Sequence, residues 1–229
     1  MNAIIFDLDG VLIDSEPIWD SVKIDLVRER GGIWKESASA DMMGMSPREW
    51  PIYMRDHLGL SGMTEEDIAQ SVIHGVEQRY TDRLPLIPGA REAVIRLASI
   101  WPIGLASSSS RSLIDLVLDL SGLQACFSVV VASEEVERGK PAPDVYVEAC
   151  GRLNLRPDCV VAVEDSGSGI TSAKTAGLHV IAIPNASYMP DPKILAKADL
   201  VLDGISSLSR EQVISVLRGM RPGRVVEHS

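Results

Sequence analysis

The chain has 229 residues, enough for one large domain or for a core with a smaller appended domain. A hydrophobic fraction of 45% suffices to build a core. The formal net charge of −10 argues against nucleic acid or an anionic membrane as a non-specific partner. An anionic substrate would therefore need local positive charge, from a lysine, a metal or helix N-termini. Cys126, Cys150 and Cys159 are odd in number and lack CxxC spacing, which predicts reduced core cysteines in a cytoplasmic protein. Asp7 and Asp9 interrupt the only apolar N-terminal run, so no secretory signal is expected. No stretch approaches the ~20 apolar residues of a transmembrane helix.

The first element is an apolar run, Ala3 to Phe6, which reads as a buried strand of a parallel sheet. It ends in Asp7-Leu8-Asp9-Gly10. Carboxylates are costly at the end of a buried strand. A spacing of two in an extended chain would put both on one side. Residues 15 to 83 then show helical patterns only: Ile18 to Arg30, Arg48 to His57, and Glu65 to Tyr80, with Thr64 and Asp67 as a helix-start signal. This block is expected to be an all-helical cap domain, inserted between the first strand and the rest of a core made of residues 1–14 and 84–220. The crossings are predicted near Ile13–Ser15 and at the proline-stiffened Leu84–Pro88.

From there helix and strand alternate. Pro88-Gly89 opens a helix to about Ser99, followed by a strand at Ile103 to Ala106, a helix at Arg111 to Leu120 and a strand at Phe127 to Ala132. A helix at Pro143 to Leu153, a strand at Val160 to Val163, a helix at Gly169 to Ala176 and a strand at Val180 to Ile183 come next. A short strand at Asp199 to Leu202 and a helix at Ser207 to Leu217 close the series; residues 221–229 read as a frayed tail. Such alternation predicts an α/β fold with a doubly wound parallel sheet.

In a parallel sheet the ends of four strands fall on one edge, where ligands bind. That edge would carry Asp7 and Asp9, then Ser107, then Lys140 in the loop before a helix, then Glu164 and Asp165. The set is complete for phosphoryl transfer: a carboxylate nucleophile, a cation site, and two groups to grip phosphate. Gly167-Ser168-Gly169 is half a dinucleotide fingerprint, but the third glycine is missing, since position 172 is Ser; it reads as helix-start packing. His57, His74, His179 and His228 show no metal spacing. Ser109 or Ser110 is expected to cap the helix at Arg111.

Asp7-Leu8-Asp9-Gly10, Ser107, Gly139-Lys140-Pro141-Ala142-Pro143-Asp144 and Glu164-Asp165-Ser166 together resemble the four motifs of the haloacid dehalogenase superfamily of phosphohydrolases, over essentially the whole chain. Asp14-Ser15-Glu16-Pro17-Ile18-Trp19 and Leu86-Ile87-Pro88-Gly89 are similar to stretches in its capped sugar-phosphate members, the hexitol- and deoxyglucose-6-phosphate phosphatases. The resemblance implies a Rossmann-like core with a helical cap and a Mg²⁺ cofactor. The substrate would be a small phosphate ester, most of all a sugar or sugar-alcohol phosphate, and the default state a monomer.

The resemblance also assigns roles. Asp7 would attack phosphorus and form an aspartyl-phosphate. Asp9 would protonate the leaving alcohol and then deprotonate the hydrolytic water. Asp7, Asp9 (also through its main-chain carbonyl) and Asp165 would hold Mg²⁺, with Glu164 as a further ligand or behind the ligands. Ser107 and the Ser108 N–H would hold phosphoryl oxygens, and Lys140 would neutralise charge. In the cap, Glu16 and Trp19 are candidates to face the cleft. Within Met43-Gly44-Met45-Ser46-Pro47-Arg48, Arg48 either reaches the substrate or is an exposed helix-start arginine.

Three rivals stand beside this reading. A β-phosphoglucomutase-type enzyme would carry histidine where this chain has Trp19. A phosphoglycolate, nucleotide or phosphonate hydrolase of the same family is the second, and the phosphonate variant needs a cap lysine that residues 36 to 83 lack. A phospho-aspartate receiver module is the third, ill-suited to a ~70-residue helical insertion and to the second Asp at position 9.

Overall fold

The computed structural model describes residues 2–42, 45, 48–185 and 189–219. Met43, Gly44, Ser46 and Pro47 of the expected substrate loop, and the expected tail at 221–229, lie outside the described residues. The chain divides into two compact units, Met1–Asp14 with Leu86–Ser229, and Ser15–Pro85.

The first unit is a six-stranded parallel sheet in the order β3-β2-β1-β4-β5-β6. Its strands are β1 (Ala3–Phe6), β2 (Ile103–Ser107), β3 (Phe127–Ala132), β4 (Val160–Glu164), β5 (His179–Ala182) and β6 (Leu200–Val201). β1 lies inside the sheet between β2 and β4, with Ile4, Ile5 and Phe6 fully buried. Each such side chain contributes about 1.5–3 kcal/mol on leaving water. The chain runs outward from β1 through β2 to β3, then restarts on the other side of β1 with β4. That reversal makes the β1/β4 boundary the topological switch point, where α/β sheets leave a crevice beyond their strand ends.

One face of the sheet, from Ala3, Ile5, Ala106, Val131, Val160, Ala162, Val180 and Ala182, packs with residues of α7 (Asp144–Leu153) and α8 (Gly167–Ala176). Strand alternation turns Ile4, Phe6, Leu105, Val161 and Val163 the other way. α5 (Ala90–Ala98) contacts β2, α6 (Arg111–Ser121) contacts β3, and α10 (Arg210–Leu217) contacts β4 and β5. The doubly wound α/β fold expected from the sequence is the fold observed. Cys150 is buried in the core, and burial pushes its thiol up to about 11; Cys126 and Cys159 are only half-buried. All three are free thiols.

The second unit holds α1 (Glu16–Glu29), α2 (Ala38–Met42), α3 (Glu49–His57) and α4 (Glu65–Asp82). α4 packs on both α1 and α3 through Ile68, Val72, Val76 and Tyr80, spaced four apart along one buried stripe. Its start is a full capping box: Thr64 Oγ1 accepts from the Asp67 N–H at 3.1 Å, and Asp67 Oδ2 accepts from the Thr64 N–H at 3.3 Å. Trp19 stands edge-on to Trp50, with ring centres 6.2 Å apart. Lys23 Nζ lies 5.7 and 5.6 Å from their two centroids, and burial lowers its pKa. Trp19 is thus part of an aromatic cluster inside its own unit. No helix among the described residues is long and apolar enough to cross a membrane.

The elements the sequence reading missed are short. α2 spans five residues and α9 (Pro192–Leu195) four, too few for a hydrophobic period to register. The last helix starts at Arg210 rather than Ser207, because Ile205–Ser207 forms a 3₁₀ turn and Ser209 with Gln212 makes the capping box.

Candidate active site

The strand ends at the switch point place the site. β1 stops at Phe6; the N–H of Asp7 still bonds the Val163 carbonyl at 3.0 Å, and the chain then turns back. Gly10 sits at φ +75, and its N–H reaches the Ile13 carbonyl at 2.8 Å. A β-carbon on Gly10 would lie 1.9 Å from Asp165 Oδ2, so this position needs glycine twice over, for its backbone angle and for space.

Asp7 is almost fully buried and its Oδ1 accepts from Lys140 Nζ at 2.8 Å. Lys140 reaches it from the loop before α7, with a side chain 4% exposed. That loop is tied down by the buried Ser172, which donates to the Ala142 carbonyl at 2.6 Å. The same ammonium donates to Glu164 Oε1 at 2.6 Å. Glu164 ends β4 and is fully buried. Its Oε1 also accepts from the Tyr146 hydroxyl at 2.8 Å. Its Oε2 accepts from the N–H of Asp165 at 3.1 Å, the N–H of Ser166 at 3.2 Å and the Ser166 hydroxyl at 3.1 Å. Both oxygens of Glu164 are therefore engaged. Ser166, rather than Glu164 or Asp165, caps α8, accepting from the Gly169 N–H at 3.1 Å.

Asp7, Glu164 and Asp165 each offer a carboxylate oxygen, all within 4.8 Å of one another. Three carboxylates facing one ammonium leave the pocket with surplus negative charge. Burial, and then the neighbouring Glu164 and Asp9, push Asp7 up to about 7, against the pull of Lys140. Burial, Glu164 and Asp7 raise Asp165 well above its ordinary value. Burial alone would lower Lys140, but the charges of Asp7 and Glu164 outweigh it and hold the ammonium protonated. An all-oxygen donor set with excess negative charge fits a hard divalent cation.

Asp9 lies to one side of that grouping. Its carboxylate lies outside the grouping just described, because the strand has already ended and the chain is turning. Asp9 Oδ2 accepts from the Ser109 hydroxyl at 2.7 Å and from the Ser107 hydroxyl at 3.4 Å. Its Oδ1 is buried without a hydrogen-bond partner. The two aspartates share an edge of the sheet but not a hydrogen-bond partner.

Ser107 is the fully buried last residue of β2, and its Oγ accepts from the Ser109 N–H at 3.0 Å. The Ser108 carbonyl is held by the Ser133 hydroxyl at 2.8 Å. The expected serine cap on α6 is absent. Ser110 occupies the N-cap position without a side-chain cap bond, while Glu134 Oε1 takes the Arg111 N–H at 3.1 Å. Ser109 is turned to Asp9 instead. Ser109 and Tyr146 are the site residues that sequence reasoning missed. Ser109 was hidden in a run of four serines, and Tyr146 in the buried stripe of α7.

Every residue of this cluster belongs to the first unit. Glu16 opens α1 and Arg48 precedes α3; both are exposed and both belong to the second unit.

Comparison with known proteins agrees with this arrangement. Residues 1–177 match the family model of haloacid dehalogenase-like hydrolases. Hexitol phosphatase B of Escherichia coli is 29% identical over 214 residues, 93% of this chain and 96% of that protein. A phosphorylated carbohydrates phosphatase of Thermotoga maritima is 30% identical over 221 residues, covering 95% and 99%. The crystal structure of β-phosphoglucomutase from Clostridium difficile shares the fold, with a TM-score of 0.79 at 22% identity over 95% of this chain and 97% of that one. With the acid-lysine-acid cluster at the switch point and the family match over most of its length, the chain belongs to the haloacid dehalogenase-like hydrolases.

Proposed function

We propose that this protein is a Mg²⁺-dependent phosphatase of small phosphate esters, acting on a sugar or sugar-alcohol phosphate through an aspartyl-phosphate. The observation that carries the reading is the buried Lys140 bridging Asp7 and Glu164, with Asp165 beside them and Asp9 across the edge. The likeness to hexitol and carbohydrate phosphatases supports the substrate class.

In this reading a carboxylate oxygen of Asp7 forms a bond to phosphorus as the bond from phosphorus to the ester oxygen breaks. Asp9 gives its proton to that departing oxygen, then accepts a proton from the water that attacks the acyl phosphate, releasing inorganic phosphate and restoring Asp7. Ser107 and the Ser108 N–H grip the phosphoryl oxygens, and Lys140 offsets their charge. Asp7 and Asp165, with the main-chain carbonyl of Asp9, would hold Mg²⁺, which would supply neutralisation of the charge on the phosphoryl group. Glu164, with both oxygens engaged, anchors Lys140. The second unit supplies substrate selection, with Glu16 and Arg48 as its candidate contacts.

The test is phosphate release from hexose 6-phosphates, hexitol phosphates, β-glucose 1-phosphate, phosphoglycolate and nucleoside monophosphates, with Mg²⁺ and with EDTA. Mg²⁺-dependent release favouring hexose or hexitol esters is the expected result. Conversion of β-glucose 1-phosphate into glucose 6-phosphate without release would make the protein a mutase, and silence on every ester would sink the phosphatase reading.

A further inference from the structure

We propose that Ser172 of α8 is a positioning residue for Lys140: through the Ala142 carbonyl it fixes the loop from which the ammonium reaches Asp7 and Glu164. Its consequence for turnover rests on the phosphatase reading above. Ser172 lies outside the family motifs quoted for this chain.

Lys140 meets its two acids at the end of a long flexible stem, which other conformations could carry elsewhere. What selects one of them is the place of its backbone. That backbone belongs to the loop Gly139-Lys140-Pro141-Ala142-Pro143, in which Gly139 and Pro141 are exposed. Nothing lies within 4 Å of where a β-carbon on Gly139 would stand. Pro141 and Pro143 have no N–H to give. The Ala142 N–H is spent inside the loop, on the Gly139 carbonyl at 3.0 Å. Arg138 and Asp144 pair across the two ends of the loop at 2.9 Å, but the arginine side chain is 66% exposed, and exposed pairs hold little. The remaining tether is the Ser172 hydroxyl, which donates to the Ala142 carbonyl at 2.6 Å. Ser172 is fully buried, and a hydrogen bond sheltered from water is stronger.

The same helix sets the other member of the ion pair. Ser166, the N-cap of α8, donates its hydroxyl and its N–H to Glu164 Oε2 at 3.1 and 3.2 Å. The backbone of α8 also runs against that carboxylate: a β-carbon on Gly169 would lie 1.8 Å from Glu164 Oε1 and 2.0 Å from Oε2. α8 thus carries Glu164 at its start and, less than two turns further on, the loop of Lys140. Without the Ser172 hydroxyl the loop is freer while Glu164 stays fixed. The longer of the two bonds of Lys140, 2.8 Å to Asp7 against 2.6 Å to Glu164, then gives first, and the nucleophile loses its neighbouring charge.

The experiment follows Lys140 itself and then turnover, in wild type, Ser172→Ala and Ser172→Cys. Cysteine fills the place of serine but donates weakly, so it removes the bond without leaving a void. In metal-free protein with nitrogen-labelled lysines, NMR reads the Nζ signals of Lys140 and Lys174, each assigned by its loss on replacement with arginine. Lys174 follows Ser172 on α8 and bonds Asp199 at 2.8 Å, so it reports the helix itself. Both variants are expected to shift or broaden the Lys140 signal and to leave Lys174 in place. With Mg²⁺ and the best ester of the panel, kcat should fall about tenfold, within what misplacement of a group by about 1 Å costs, and KM should stay within about twofold. An unchanged Lys140 signal in both variants overturns the role of Ser172. So does movement of both lysine signals together, which marks a loosened helix, and so does unchanged kcat or a loss confined to KM. A wild type that hydrolyses no ester overturns the phosphatase reading, while a Lys140 signal that moves without Lys174 still upholds the tether.

Discussion

The ammonium of Lys140 lies 2.6 Å from Glu164 Oε1, closer than its 2.8 Å approach to Asp7, with both partners of the shorter pair almost sealed from water. The Tyr146 ring adds a flat apolar wall 5.0 Å from the same nitrogen. A charge held this way is fixed in place before any substrate arrives. That is the arrangement electrostatic catalysis requires, since no reorganisation is left for the moment of reaction.

Breaking the pair is correspondingly costly. In Lys140→Ala, Asp7 and Glu164 remain buried without their cation, and removal of one partner of a buried ion pair costs about 3–5 kcal/mol. Urea unfolding in EDTA should show a loss of that order. A variant as stable as wild type would mean that the carboxylates find other partners or take up protons without penalty.

Beside Asp165, which is raised in the same direction, Asp7 contributes to the pH dependence of the metal-free protein. Its pKa is raised to about 7 in the fold, so between roughly pH 4 and 7 the folded state binds a proton that the unfolded chain has lost. Stability from this group is therefore greatest at the acid end of that window and declines as pH rises towards 7. Mg²⁺ favours the ionised carboxylate and should reverse the trend. Thermal melts in EDTA are expected to fall from pH 5 to pH 7.5, while the gain on adding Mg²⁺ grows over the same range. A Mg²⁺ effect that is flat with pH would argue that the cation does not bind at Asp7.

Much of this site could be read from the residue order alone, for a physical reason. Parallel strands deliver their C-terminal ends to one edge, so Asp7, Ser107 and Glu164 had to converge once the alternation of elements was recognised. Lys140 followed from its place in the loop before α7. What could not be read was direction. Asp7 and Asp9 are spaced as if on one side of a strand, yet the strand stops at Phe6 and the carboxylates part, one to Lys140 and the other to the serine loop. The run Ser107 to Ser110 offered four equal hydroxyls, and only the loop's bracing by Ser133 and Glu134 decides which one turns inward. Tyr146 looked like any apolar position of an amphipathic helix, because its ring is core and only its hydroxyl belongs to the site.

The nucleophile assignment makes the simplest forecast. Asp7→Asn keeps the shape of the side chain but removes the attacking oxygen's charge. Phosphate release should drop at least about a thousandfold, in line with loss of covalent catalysis. Retention of more than a tenth of wild-type activity would exclude Asp7 as the attacking group.

Tyr146→Phe isolates one hydroxyl. Glu164 Oε1 keeps the lysine and loses its second donor, and a hydrogen bond to a charged group is worth about 1.5–3 kcal/mol. The variant should unfold at lower urea by about that amount. If Glu164 thereby draws the ammonium away from Asp7, kcat falls several-fold while KM for the ester stays within about twofold. A change in KM alone would place Tyr146 in substrate contact instead.

Gly10 tests the cation site by geometry. Its β-carbon in Gly10→Ala would fall 1.9 Å from Oδ2 and 2.5 Å from Cγ of Asp165, distances that no rotamer of alanine can relieve. The φ of +75 adds about 1–2 kcal/mol of backbone strain for any residue with a β-carbon. The easier of the two groups to move is the Asp165 side chain, and moving it takes an oxygen out of the grouping with Asp7 and Glu164. Mg²⁺ affinity measured by titration calorimetry should therefore weaken at least tenfold. Gly62→Ala, where nothing lies within 4 Å of the new carbon, provides the matched control and should bind Mg²⁺ as wild type does. If Gly10→Ala binds the cation as tightly as that control, Asp165 is not one of its ligands, and the assignment of the metal site has to be moved to other oxygens.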